Sequence, residues 1–183
     1  MEVDLARGYL KDLDVRFRKL KGLGDGALAQ VNGADLHRAF VPGQNSIAVL
    51  VKHLCGNMRS RWTGFLTSDG EKPDRDRDAE FDLSGNEPRA TVLEWWEEGW
   101  AIVFGELSTL NPGDLQRTVT IRGEPHAVLE ALQRQLTHAA YHVGQIVHLA
   151  RCHAGESWRS LSIPRGGSEG FDREMRRRFE RDA

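Results

Sequence analysis

The chain has 183 residues, enough for one domain around a single sizeable core. Its 25 basic and 27 acidic side chains leave a formal net charge of −2, which argues against a dedicated nucleic-acid binder, and no stretch approaches the roughly 18 apolar residues of a membrane helix. Two cysteines, Cys55 and Cys152, make no disulfide framework, and the first residues enter a charged helical pattern with no apolar leader, so a cytoplasmic protein is expected.

Leu5, Tyr9, Leu13, Phe17 and Leu20 recur along one face of an amphipathic helix of about five turns, which Gly22, Gly24 and Gly26 are expected to end. Residues 26–44, with Pro42-Gly43, read as a connector. Asn45-Ser46 looks like the N-cap of a second helix reaching about Leu66, with Ile47, Leu50, Val51, Leu54, Met58, Trp62 and Phe65 on one arc. Residues 67–88 are polar and aperiodic, and so long a loop in a compact domain is often functional.

Thr91 to Glu94 reads as a capping box, with Pro88 offering a start one turn earlier. The third helix turns Val92, Trp96, Trp100, Val103, Leu107 and Leu110 inward and stops at Asn111-Pro112-Gly113. Thr118 to Ile121 alternates like a short strand or an extended crossing segment. Glu124-Pro125 is expected to open the fourth and longest helix, which runs to about His153. An ordered loop follows Gly155, then a charged tail or helix over about 172–183, and no internal repeat is present. The pattern predicts an all-α fold, a four-helix bundle with long inter-helix loops, as one domain over residues 1–183.

His138 and His142 stand four residues apart on the fourth helix, so both imidazoles project from one face and can share one metal ion. On a helical wheel they flank the apolar side. His53 holds the same shoulder position on the second helix, beside Ser46, Asn57, Ser60 and Gly64, a strip of small or polar residues that leaves room for a ligand. The competing reading is a set of hydrogen-bonded interior histidines, because an i, i+4 pair among seven histidines arises easily by chance. Arg61 falls on the buried side of the second helix and needs either an acidic partner, from the third helix or a loop, or a substrate carboxylate or phosphate. Cys55 reads as a small core residue, and His126, His148 and His153 as surface or capping groups.

Five segments agree in order with a known pattern: Asn45-Ser-Ile-Ala-Val-Leu-Val-Lys-His53, Gly56-Asn-Met-Arg-Ser-Arg-Trp62, Asp69-Gly-Glu-Lys-Pro73, His138-Ala-Ala-Tyr-His142-Val-Gly-Gln-Ile and Ser160-Leu-Ser-Ile-Pro-Arg-Gly. Through them the chain resembles the DUF1572 branch of the DinB/YfiT-like metalloenzyme superfamily over roughly residues 3–172. The resemblance implies an up-down-down-up bundle, often a homodimer, with a divalent metal ion on His53, His138 and His142. Relatives of that superfamily include enzymes that use low-molecular-weight thiols such as bacillithiol or mycothiol, so the implied activity is thiol S-transfer in detoxification or stress response.

Three imidazoles leave open positions on an ion, as catalytic sites do. Zinc or nickel suits such ligands, and iron or manganese is compatible with them. Arg61 and Arg165 are then expected to bind substrate carboxylates, with Asn57 and Gln145 as polar pocket groups. Two other readings stay open: a metal-dependent hydrolase, and a non-enzymatic stress-associated bundle acting through protein contacts.

Overall fold

The computed structural model describes residues 2–180; Met1 and residues 181–183, the end of the expected charged tail, lie outside the described residues. The fold is mostly helical and of the all-α class, with one two-stranded ribbon. The helices are α1 (Glu2–Leu28), α2 (Gly33–His37), α3 (Ile47–Trp62), α4 (Arg89–Thr109), α5 (Val128–Ala154) and α6 (Ser168–Glu180). Strands β1 (Thr118–Ile121) and β2 (Glu124–Ala127) pair antiparallel between α4 and α5. No described helix is long and apolar enough to cross a membrane.

Packing follows the apolar stripes. α1 lies against α5, α3 against α4, and α3 against α5. All seven apolar residues expected on the second helix and all six expected on the third are buried. Phe17, Trp62 and Trp100 meet edge to face at the centre, with Phe17 5.5 Å from Trp62 and 6.2 Å from Trp100. Near the start of α1, Leu5 is exposed and does not join the core, while Ala6 and Tyr9 pack against it.

Several boundaries differ from expectation, each for a local reason. Helix α1 passes through Gly22, Gly24 and Gly26 to Leu28. A Cβ on Gly24 would lie 2.2 Å from the Trp96 ring and one on Gly26 2.6 Å from Leu161, so these two glycines serve close approach and not helix termination. The connector after α1 contains α2, whose N-cap Asn32 accepts a hydrogen bond from the Asp35 amide. Ser46 caps α3 as expected, accepting from the Val49 amide. α3 ends at Trp62, short of Leu66, because Gly64 turns into the left-handed region at φ 59°. Phe65 stays buried and stacks on Trp62.

α4 starts after Pro88, and Thr91 makes no cap. The stretch from Glu124 to Ala127 is strand β2, so α5 opens at Val128. A proline at the first turn of a helix and one on a ribbon edge look alike in sequence, since neither position needs its N–H. The charged C-terminal segment is helical through Glu180, with no buried residue.

The 67–88 segment folds down on α3. Ser60 donates from Oγ to the Gly70 carbonyl at 2.8 Å and accepts from the Lys72 amide, and the Gly70 amide bonds the Thr120 carbonyl of β1. The small-residue strip on α3 is therefore bonded by this segment at Ser60, while Asn57 of the same strip still borders a cavity. The ribbon turn, Arg122-Gly123, has positive φ at both residues, 58° and 77°.

Candidate metal centre

His53 comes from the middle of α3, and His138 and His142 from consecutive turns of α5. One ring nitrogen from each lies within 4.8 Å of the others, making a largely buried three-histidine cluster that could hold a metal ion. The Nε2 atoms of His53 and His138 are 3.3 Å apart, although the residues are 85 positions apart in sequence. Two imidazoles on one tetrahedral zinc, at bond lengths of about 2.0–2.1 Å, place their nitrogens about 3.3 Å apart, so the spacing suits a shared ion.

The outer partners set the tautomers. His53 donates from Nδ1 to Glu80 Oε2 at 2.7 Å, and His142 donates from Nδ1 to Gln145 Oε1 at 2.8 Å. Each bond leaves the Nε2 lone pair directed to the shared space, as in metal sites where a carboxylate or amide orients the imidazole. Burial, with neighbouring His142 and His53, pushes His138 down to about 3; burial likewise lowers His142. Both are thus neutral at physiological pH, the form that ligates metal.

Glu80 was not foreseen. It lies in the short 3-10 turn Asp78–Glu80, is buried, and also accepts from Arg75 Nε at 2.7 Å and Nη2 at 3.0 Å. Burial alone would raise its pKa, but the bonds from His53 and Arg75 outweigh that and hold it below the ordinary value. An aperiodic loop carries no pattern announcing a buried carboxylate. Only the polar length of 67–88 pointed to the segment.

The histidines open into a cavity of about 670 Å³. Asn57, Gln135, Thr137 and Tyr141 line it, Phe81 packs 4.6 Å from the His53 ring, and five arginines complete the wall: Arg61, Arg75, Arg77, Arg122 and Arg134. No carboxylate lines it. A volume of this size suits a small-molecule ligand. A second cavity of about 490 Å³ shares Arg75 with the first; Glu80, Cys55, Lys52 and Trp95 line it, but no histidine does. The three histidines all line the first. Cys55 is buried and its thiol is pushed up to about 11, by burial first and then by Glu98, which leaves it unionised.

Among the other expected site residues, Asn57 is buried at the cavity, and its Oδ1 has no hydrogen-bond partner. Gln145 stands behind His142 and does not line the cavity. Arg61 reaches the cavity while paired with the loop residue Glu71 at 2.6 Å and bonded to the Gly70 carbonyl, so its acidic partner is a loop glutamate, not a third-helix glutamate or a loop aspartate. Arg165 is exposed on the loop before α6 and lies outside the cavity wall. Away from the site, the His153 side chain is fully buried, with Nε2 on the Arg38 carbonyl, and is no surface group.

No curated protein and no solved structure matches the chain. A family model described as "Protein of unknown function (DUF1572)" matches residues 4–167, which take in α3, the 67–88 loop and α5 with all three histidines; the chain belongs to that family.

Proposed function

We propose that this protein is a divalent-metal-dependent enzyme acting on a small molecule, with the ion on His53, His138 and His142. The framework we favour is a DinB-like four-helix bundle of α1, α3, α4 and α5. The observation that carries the reading is the convergence of three imidazoles, two with oriented Nε2 lone pairs, at the floor of a ligand-sized cavity. Zinc or nickel suits the donor set best.

Within the enzyme reading, thiol S-transfer has one argument beyond resemblance. The cavity wall offers no carboxylate to act as general base. A thiol ionises near pH 8.5 unaided, and a divalent ion supplies the Lewis acidity that stabilises its thiolate at neutral pH. Water is harder to ionise, and hydrolytic zinc sites of the H-E-x-x-H kind add a glutamate base. The roles of this chain's residues follow from their positions. Glu80 and Gln145 hold two imidazoles in register, Phe81 and the surrounding helices limit water, and Arg61 faces a substrate anion while Glu71 keeps it anchored.

Elemental analysis of protein purified without added metal or chelator tests the centre. Wild type is expected to carry about one divalent ion per chain and His142→Ala to lose it, with the helical circular dichroism signal unchanged. Wild type with no metal, and no uptake on titration, would refute the reading. Conjugation of a thiol to a model electrophile, with and without chelator, then tests the transfer; activity indifferent to chelator would remove it.

A further inference from the structure

We infer that the substrate of this site is a small molecule bearing at least two anionic groups, read at the cavity mouth by Arg77, Arg122 and Arg134. The inference rests on the proposed metal-dependent reading and names its substrate class.

The charge balance is the first observation. The molecule carries a net charge of −2, yet five arginines and no carboxylate line this one cavity. Glu71 and Glu80, packed behind the wall, offset two of those charges; Glu71 lies 2.6 Å from Arg61, 3.2 Å from Arg75 and 3.3 Å from Arg122. Arg77, Arg122 and Arg134 are exposed at the mouth, with the solvent-exposed Asp78 4.0 Å from Arg77. They arrive from three separate elements: the 67–88 loop, the ribbon turn and α5. Guanidinium groups converging on a concave, carboxylate-free surface match phosphate or carboxylate oxygens, which they bind in pairs of parallel hydrogen bonds.

The second observation is independent of charge. Arg122 is the one described non-glycine residue with positive φ, at 58°. It occupies the first position of a two-residue ribbon turn, where Asn, Asp or Gly is preferred and a long side chain is strained. The strain is held by Asp69, whose carboxylate accepts from the amides of Arg122 and Gly123, each at 2.8 Å, and from the Glu71 amide at 2.7 Å. A turn that only had to reverse the chain would not require arginine there. Arg77 is positioned as well, its guanidinium 5.2 Å from the centre of the Phe81 ring that packs on His53.

The geometry therefore divides the ligand. Its reacting atom lies by the histidines, and its anionic groups lie outward on the arginines.

Calorimetric titration of the full-length, metal-free protein at constant ionic strength tests this, with inorganic pyrophosphate, tricarballylate and acetate as probes. Wild type is expected to bind one or both polyanions at least about tenfold more tightly than acetate, and the pair of probes tells phosphate from carboxylate preference. Arg122→Gly relieves the backbone strain while removing the guanidinium. It should hold or raise the unfolding temperature yet weaken polyanion binding about fivefold or more, as should Arg134→Gln. The double change Arg173→Gln/Arg176→Gln on α6 removes two positive charges, more than either single variant, away from the cavity and should leave binding unchanged. No preference over acetate, no loss in the Arg122 and Arg134 variants, or an equal loss in the α6 variant would each overturn the inference. Titration of the wild type with zinc or nickel, run beside the polyanion titrations, separates the two readings. Polyanion binding that depends on the arginines, in a protein with no metal affinity, refutes the metal centre alone; metal binding without such polyanion binding refutes this inference alone.

Discussion

At Glu80 one buried carboxylate serves two masters, orienting His53 with Oε2 while both its oxygens hold Arg75. It is pressed against α3 at Gly56, where an added Cβ would lie 2.4 Å from Oε1 and 2.6 Å from Cδ. The two bonds from Arg75 leave the carboxylate little freedom to retreat. Gly56→Ala is therefore expected to displace it and loosen His53, weakening metal affinity about tenfold, as loss of an outer partner commonly does. Crowding of this kind costs about 1–3 kcal/mol of stability. Competition with a chelating dye and urea denaturation measure the two effects; unchanged metal affinity would show that Glu80 does not orient the ligand. The three histidines were readable from their shoulder positions on two amphipathic helices, because burial at a helix edge follows from periodicity. Glu80 and Arg75 were not, since their burial depends on how an aperiodic loop lies against α3.

On the scale of helices, the glycines of α1 separate into two kinds. Gly22 has open space where a Cβ would go, whereas Gly24 faces the Trp96 ring, whose Nε1 donates to Asp25 at 2.6 Å. Gly22→Ala is expected to stabilise the protein by about 0.5–1 kcal/mol through helix propensity. Gly24→Ala gains the same propensity but forces α1 and α4 apart, for a net loss of about 1–2 kcal/mol. Chemical denaturation of the pair should show opposite signs; equal signs would mean that the α1–α4 contact tolerates the extra carbon. The same contrast explains what sequence reading misjudged here. A glycine cluster resembles a stop signal, and only the partner helix shows whether it is a contact. The start of α5 was misplaced for a related reason, because Pro125 suits a ribbon edge as well as a first helical turn.

For the molecule as a whole, the core is complete before α6. That helix has no buried residue, and the family match ends at residue 167, one residue before it begins. A chain ending at Gly167 is expected to unfold within about 0.5 kcal/mol of the full chain, the usual range for changes away from packed contacts. A larger loss in thermal or urea unfolding would show that the helix is docked in solution. Overall class and core were legible because four long stripes of apolar residues had only one another to bury against. The covering of the Ser60 face and the arginine-lined mouth were not, since both are made by segments far apart in the chain.

The 3.3 Å approach of His53 and His138 has a further consequence for the unfolded chain. An ion shared by residues 85 positions apart would tie α3 to α5 at a site that the unfolded chain does not offer. Chelation would then do more than empty a pocket. It would withdraw binding free energy from the folded state alone, so resistance to heat and proteolysis would follow metal supply.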